Sequence, residues 1–228
     1  RETADLLVHL GINLNFAPVL DLAVNPNNPV IAELERSYGA DPDRVLRHGR
    51  WTIEEFHRKG LLSAVKHFPG HGSSLDDSHL GLPDVTREWN STELEPFRRL
   101  TQEQLLDMVM TAHLYNANWD SEYPATLSRN VVITMLRQEL GFQGVIVSDD
   151  MQMGAIVQNY TLEKGIERAV EAGIDILLFA NNSSYDPEIA SKAFTILRDL
   201  VDRDVISQDR IQESYLRIIK LKGSLRNR

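Results

Sequence analysis

Short runs of apolar residues alternate along the chain with longer segments that have a helical pattern of apolar and polar positions. The runs are mostly continuous rather than alternating, which is typical of strands that are buried on both faces of a parallel sheet. The pattern therefore predicts β-strands joined by crossover helices, as in parallel α/β folds. The five predicted strands are 13–21, 61–67, 106–113, 144–150 and 174–182.

The segments between the runs carry start and stop signals for helices. Asp41 and Pro42 predict the first turn of a helix that ends at Gly60, since aspartate caps helix N-termini and proline is tolerated in the first turn. Thr92 and Glu95 have the spacing of a capping box. We expect the last predicted helix to pack in an outer ring. The other predicted helices cover 1–11, 130–141, 153–172, 184–203 and 207–222.

Each apolar run ends in ionisable or amide side chains, which favours a closed barrel of alternating strands and helices, where many strand ends converge on one site. An open doubly wound sheet would gather such groups at one switch point, often with a glycine-rich phosphate turn, and the sequence has no such turn. We therefore predict an α/β fold of the TIM-like barrel class. A full barrel has eight strands, so we expect residues 1–228 to form a single, N-terminally truncated barrel domain that lacks its first strands. The side chains at the run ends are Asp21, Lys66, His67, His113, Asp149, Asp150, Asn181 and Asn182.

Composition and charge narrow the possible partners. Hydrophobic residues make up 42% of the chain and charged residues 25%, as in ordinary globular proteins, and no apolar run is long enough to span a membrane. The net charge of −9 argues against nucleic acid as a partner. The absence of cysteine excludes disulfides, thiolate zinc sites and a thiol nucleophile. We expect a monomer, with the cytoplasm favoured; a periplasmic or secreted location stays open, because no initiator methionine or signal peptide precedes Arg1.

The stretch KHFPGHGSSLDDSH, residues 66–79, holds three of the seven histidines and two aspartates. His67 and His71 are four residues apart, but the proline and glycine between them exclude a helix interior, so a metal site would need a loop with Asp77 and His79 as further ligands. Alternatively, Asp77 accepts a hydrogen bond from His79, which would fix the tautomer of the ring and raise its basicity for proton transfer. A capped polar turn is the third possibility, and spacing alone favours it.

Asp149 follows a strand of aliphatic residues, and a carboxylate held there can act as a nucleophile or as an electrostatic stabiliser. The alternative is a cap for the helix near residue 153, a role for which Asp150 is the better candidate. Lys66 and Arg36 offer positive charges that could bind hydroxyls or carboxylates. Arg36 could equally form an ion pair within its loop.

Two long motifs, KHFPGHG followed by DSH and, downstream, LRQELGFQGVIVSDD, resemble glycoside hydrolase family 3. The resemblance is closest to its β-N-acetylglucosaminidase branch, which acts in peptidoglycan recycling. FAPVLDL, ERSYGADP, TAHL and PATLS occur in the same order, so the resemblance runs from about Leu10 to about Asn182. It implies a TIM-like barrel and a retaining exo-glycosidase that removes terminal β-linked N-acetylglucosamine. N-acetylglucosamine-containing saccharides would be the binding partners, and neither a metal nor an organic cofactor would be needed.

Carried over residue by residue, the resemblance makes Asp149 the nucleophile and His79 the general acid/base, with Asp77 as its partner. The residues that would contact the N-acetyl sugar are Arg36, Lys66 and His67. Gln152 stands where the family usually has a small residue, and an earlier aspartate that binds the sugar hydroxyls has no match here. Other functions stay open: another sugar specificity within the family, phosphorolysis, a metal-dependent hydrolase, and a sugar-binding protein without catalysis.

Overall fold

The computed structural model of the protein describes residues 1–182 and 184–225. Within these residues, five strands form a parallel sheet in which each strand pairs with its neighbour in the chain. Because the order in the sheet equals the order in the chain, the described strands show no point at which their order reverses, unlike a doubly wound sheet. The strands form a half-barrel, which confirms the predicted TIM-like class. They are β1 Leu14–Asn15, β2 Leu62–Phe68, β3 Met108–Thr111, β4 Val145–Asp150 and β5 Ile176–Leu178.

Helices connect the strands, and α2, Pro42–Arg58, begins as predicted. The Asp41 carboxylate accepts a hydrogen bond from the N–H of Asp43 at 3.0 Å, and Gly60 follows the helix with a φ of 75°. No helix within the described residues is both long and apolar enough to cross a membrane. The other helices are α1 Glu2–His9, α3 Glu95–Gln102, a π-helix Asn130–Glu139, α4 Gly154–Val157, α5 Leu162–Ala172, α6 Ile189–Asp202 and α7 Gln208–Leu225, with 3₁₀ turns at Ser91–Leu94 and Ala125–Leu127.

Two of the helix predictions are wrong in detail. Asn90 caps the segment before α3, because its side-chain oxygen accepts the N–H of Thr92 at 3.1 Å, and this contact replaces the predicted capping box of Thr92 and Glu95. The single helix predicted over 153–172 is two helices, α4 and α5. The helix is interrupted between them because a new helix begins after Thr161, whose hydroxyl accepts the N–H of Lys164 at 3.2 Å.

The strands β2, β3 and β4 are buried on both faces, as predicted, whereas the residues of β1 and β5 are only partly buried. On one face Val65, Val109 and Ile146 pack against α2, α3 and the π-helix in the main core. The helix α7 contributes Ile218 and Leu221 to the packing on the opposite face, so the expectation that it joins the outer ring is wrong. The strand residues buried on that opposite face are Ala64, Met108, Met110, Val145 and Val147.

Candidate active site

The carboxyl ends of the parallel strands bring several polar side chains to one edge of the sheet. Lys66 and His67 lie near the end of β2, Asp149 lies near the end of β4, and His113 follows β3 by two residues. The backbone just before Asp21 is held at the same edge, since it donates a hydrogen bond to the Lys66 carbonyl at 2.6 Å. Several of the groups that the sequence marks as strand ends therefore lie at one edge of the sheet.

Asp21 is fully buried and anchors the loop that follows β2. Its carboxylate accepts hydrogen bonds from Nδ1 of His67 at 2.6 Å and from the backbone N–H of His71 at 2.8 Å. Burial alone would raise the pKa of Asp21, but its interactions with His67 and His71 hold it below its usual value. Arg36 lies 3.2 Å from Nε2 of His67 through Nη2. A guanidinium has only donors, so the ring proton of His67 lies on Nδ1.

Asp149 is half-buried, and its carboxylate is set among positive and imidazole groups. Its Oδ1 accepts the N–H of Asp150 at 2.8 Å, and its Oδ2 accepts no hydrogen bond from any described residue. Burial alone would raise the pKa of Asp149, but His67, His113 and Lys66 hold it below its usual value. The carboxylate is therefore ionised at neutral pH and keeps one oxygen available for a substrate.

Lys66 lies close enough to Asp149 and to Arg36 for both of their charges to act on it. Burial lowers the pKa of Lys66, and the charge of Arg36 lowers it further, against the opposing charges of Asp149 and Asp21. Arg36 is fixed by a hydrogen bond from Nη1 to the carbonyl of Val30 at 2.9 Å. Its contacts are with this carbonyl and with His67, so the alternative of an ion pair within the loop is not observed among the described residues.

Asp77 and His79 form a hydrogen-bonded pair, the dyad, on a loop that we call the dyad loop, residues 77–80. Nδ1 of His79 lies 2.7 Å from Oδ1 of Asp77, and the backbone N–H of His79 donates to the same oxygen at 2.8 Å. Partial burial alone would raise the pKa of Asp77, but these bonds hold it below its usual value. The side chain of His79 is 55% exposed. Its Nε2 therefore remains accessible, although no hydrogen bond joins His79 to Asp149 within the described residues.

His71 belongs to the packing of this loop. It is buried, its Nε2 lies 3.1 Å from the hydroxyl of Ser78, and burial lowers its pKa to about 4. The metal alternative required His71 together with His67, Asp77 and His79. Instead His67 bonds to a carboxylate of its own, and no three His, Asp or Glu side chains among the described residues are arranged to hold a metal ion.

The order of these residues along the chain and their places at the strand ends agree with a known family. Residues 1–221 match the model of the glycosyl hydrolase family 3 N-terminal domain. The chain belongs to glycosyl hydrolase family 3. The resemblance that the two long motifs indicated is thereby confirmed.

Relatives of this family 3 chain are named for action on hexosaminides. The chain is 36% identical over 232 residues to β-hexosaminidase A of Pseudoalteromonas piscicida, covering 95% of this chain and 38% of that protein. It is 42% identical over 183 residues to a β-hexosaminidase of Tolumonas auensis, covering 78% of this chain and 53% of that protein. It superimposes on a family 3 β-N-acetylglucosaminidase from a Paenibacillus species with a TM-score of 0.90 and 41% identity, covering 98% of this chain and 42% of that one. The chain thus spans about two fifths to about half of the length of these relatives.

Asp150, the neighbour of Asp149, was predicted to cap the helix near residue 153, and this prediction is wrong. The helix α4 begins after Met153 without a side-chain cap. The Asp150 carboxylate instead accepts the N–H groups of Gln152 and Ala180, both at 3.0 Å. These bonds tie the end of β4 to the segment after β5. In this family 3 chain, the two adjacent aspartates therefore differ, since Asp150 binds the amides of two distant segments, whereas Asp149 accepts only the N–H of Asp150 among the described residues.

Two buried carboxylates that bind the segment after β2, Asp21 and Glu93, were missed by the sequence reasoning. The sequence marks Asp21 only as the end of an apolar run, and no pattern singles out Glu93. Glu93 is fully buried, and its Oε2 accepts the N–H groups of Gly72 at 2.9 Å and Ser73 at 3.2 Å. Burial raises the pKa of Glu93 to about 7, and the charge of Asp21 adds to this shift. Glu93 therefore supports the backbone that leads to the dyad loop.

Replacing Glu93 with glutamine should stabilise the protein at about pH 8 but have little effect at about pH 5. The folded pKa of about 7 lies above the ordinary value of 4.5, so the wild type loses stability as the pH rises through this window. The glutamine does not titrate, and the expected relative gain is on the order of 1–3 kcal/mol. Urea unfolding of both proteins at the two pH values measures it. An equal difference in unfolding free energy at both would show that Glu93 does not titrate there.

Proposed function

We propose that the protein is a retaining exo-glycosidase that removes terminal β-linked N-acetylglucosamine, with peptidoglycan-derived fragments as its natural substrates. The observation that carries the proposal is the setting of Asp149, an ionised and half-buried carboxylate close to Lys66 and His67, with Arg36 next to His67. The names of the family 3 relatives support the choice of sugar. We propose further that residues 1–228 belong to one catalytic barrel domain.

Asp149 is the proposed nucleophile. In the first displacement its Oδ2 forms a bond to the anomeric carbon while the glycosidic C–O bond breaks, which leaves the sugar as an ester of Asp149. An ionised carboxylate can attack without first losing a proton, and the low pKa of Asp149 provides that state. The same negative charge stabilises the positive charge that develops on the sugar ring in the transition state.

His79 is the proposed acid/base, in place of the second carboxylate that most glycosidases use. Its Nε2 gives a proton to the departing oxygen in the first step. In the second step it takes a proton from water, whose oxygen attacks the anomeric carbon and releases Asp149. The hydrogen bond to Asp77 holds the ring for both steps. Asp150, the nearest carboxylate in sequence, is occupied by two backbone amides.

Arg36, Lys66 and His67 are the proposed sugar-binding groups. Arg36 and Lys66 offer hydrogen-bond donors to hydroxyls and to the N-acetyl carbonyl. His67 is fixed by Asp21 on one nitrogen and by Arg36 on the other. A pocket whose polar groups are held in place in this way discriminates strongly against a sugar that lacks a matching partner.

A panel of 4-nitrophenyl β-glycosides tests the proposed specificity. We expect kcat/KM for the N-acetylglucosaminide to exceed that for the glucoside and xyloside by about 100-fold or more, because the latter lack the N-acetyl group. The product should be free sugar, with and without added phosphate, and a chelator should leave the rate unchanged. A preference for glucoside or xyloside, a sugar phosphate as product, loss of activity with chelator, or binding without turnover would each contradict the proposal.

A further inference from the structure

The dyad loop rests on the residues that follow β4, the strand that carries Asp149. The N–H of Gly154 donates to the carbonyl of His79 at 3.1 Å, and the next N–H, that of Ala155, donates to the carbonyl of Ser78 at 3.2 Å. The side chain of Gln158 donates through Nε2 to the carbonyl of Leu80 at 2.9 Å. Three consecutive carbonyls of the loop are therefore held by one short segment.

Gly154 is needed for this close approach. A Cβ atom at position 154 would lie 2.6 Å from the carbonyl oxygen of His79 and 2.9 Å from the carbonyl carbon of Leu80. Both are backbone atoms, which cannot rotate away as a flexible side chain could. Any larger residue at this position would push the dyad loop away from α4.

Hydrogen bonds, rather than burial, hold this part of the loop. The side chain of His79 is 55% exposed and the residue Leu80 is 75% exposed, so little apolar surface is buried where the loop meets α4. Such a loop would be mobile without directed contacts. By contrast, the segment that receives it is firmly packed, since Met153, Ala155 and Ile156 are all buried. The N–H of Met153 also donates to the carbonyl of Asp150 at 3.0 Å. This bond ties the segment that receives the loop, residues 153–158, which we call the dock, to the end of β4.

We propose that Gly154 and Gln158 are positioning residues that hold the dyad loop on α4 so that His79 faces a sugar bound at Asp149. Because Gly154 and Gln158 lie five and nine residues after Asp149 on the same stretch of chain, the acid/base and the nucleophile share one support. This inference rests on the proposed function and adds to it a built-in dock for the acid/base.

Gln158→Ala tests the dock with little disturbance of the fold, because Gln158 is exposed. Only one hydrogen bond to the loop is lost, so kcat/KM for an alkyl N-acetylglucosaminide, a poor leaving group, should fall about 3- to 10-fold. The value for the 4-nitrophenyl substrate should change less than about 2-fold, since that leaving group needs little protonation. In parallel, the amides of Leu80 and Gly81 should exchange hydrogen faster than in the wild type.

Asn159→Ala is the matched control. Asn159 is the exposed neighbour of Gln158, but its side chain donates to the carbonyl of Ala155 at 3.1 Å and makes no hydrogen bond to the loop. This variant should match the wild type in both rates and in exchange. Gly154→Ala should show the same leaving-group pattern as Gln158→Ala but more strongly. Gly165→Ala, where a Cβ meets only ordinary contacts at 3.5 Å, controls for an added methyl group.

Equal losses of kcat/KM for both substrates in Gln158→Ala would contradict the proposal that Gln158 positions the dyad loop. Rates and hydrogen exchange that both equal those of the wild type would also contradict it. A failure of the proposed function looks different, because the unmodified protein would then hydrolyse neither substrate. In that case the exchange of Leu80 and Gly81 still decides whether Gln158 holds the loop. Faster exchange in Gln158→Ala, with Asn159→Ala unchanged, supports the dock, and equal exchange in all three proteins overturns it.

Discussion

Asp149→Ala should lower kcat/KM for β-N-acetylglucosaminides by about 10⁴-fold or more, the scale seen when a covalent nucleophile is removed. The variant keeps the pocket formed by Arg36, Lys66 and His67 but has no oxygen to form the glycosyl ester. Added azide should restore part of the rate with an activated substrate, since the small anion fits the space left by the carboxylate. It would attack from the side of Asp149, so the product should be the α-glycosyl azide, identified by NMR.

The neighbouring aspartate provides a control for this prediction. Asp150→Asn keeps a side-chain oxygen that can accept the N–H groups of Gln152 and Ala180, so it should retain most of the activity and lose some thermal stability. The opposite ranking, with Asp150 essential and Asp149 dispensable, would move the nucleophile by one residue. A β-glycosyl azide from Asp149→Ala would likewise contradict the assignment.

His79→Ala should lower kcat/KM about 10²- to 10⁴-fold for substrates with poor leaving groups, the usual contribution of a general acid. With activated leaving groups the first displacement should be nearly normal, because these depart without protonation. Hydrolysis of the ester on Asp149 should then limit kcat, since no base assists the attacking water. Steady-state rates across a series of aryl and alkyl N-acetylglucosaminides measure this dependence.

Azide distinguishes the loss of the acid/base from the loss of the nucleophile. In His79→Ala the ester on Asp149 still forms, and azide needs no base to attack it. It should therefore raise kcat for activated substrates and give the β-glycosyl azide. Asp77→Asn should show a milder form of the same leaving-group pattern, because the imidazole remains but loses its carboxylate partner. Equal losses for good and poor leaving groups in His79→Ala would exclude the acid role.

The parts of the fold that the sequence predicts well are those with strong local signals. The strands β2 and β4 match their apolar runs within one residue, because continuous aliphatic residues are buried on both faces. The run over 13–21 is predicted as one strand, yet only Leu14–Asn15 is regular. Pro18 has no N–H to donate to a ladder, and the chain continues along β2 through an isolated bridge between Val19 and Lys66.

The candidate site divides in the same way. The spacing of Asp77 and His79 allows their pairing but by itself favours a capped polar turn, and the structure has both the imidazole contact and a backbone N–H bond to Asp77. The place of Asp149 near the end of β4 follows from the apolar run before it. Contacts between distant segments leave no such signal. Asp21 binds His67 from 46 residues away, and Glu93 binds Gly72 from 21 residues away. These contacts depend on how the segments pack, which no local spacing shows.

The most direct test of the central claim is to identify the residue that carries the sugar during turnover. A fluorinated N-acetylglucosaminide with an activated leaving group slows both displacements but favours the first, so the ester should accumulate. Intact mass should show one added sugar, and peptide mass spectrometry should place it on Asp149, with no label in Asp149→Ala. A sugar attached to another residue would contradict double displacement through Asp149. Release of a sugar with inverted configuration from an unfluorinated substrate would also contradict it.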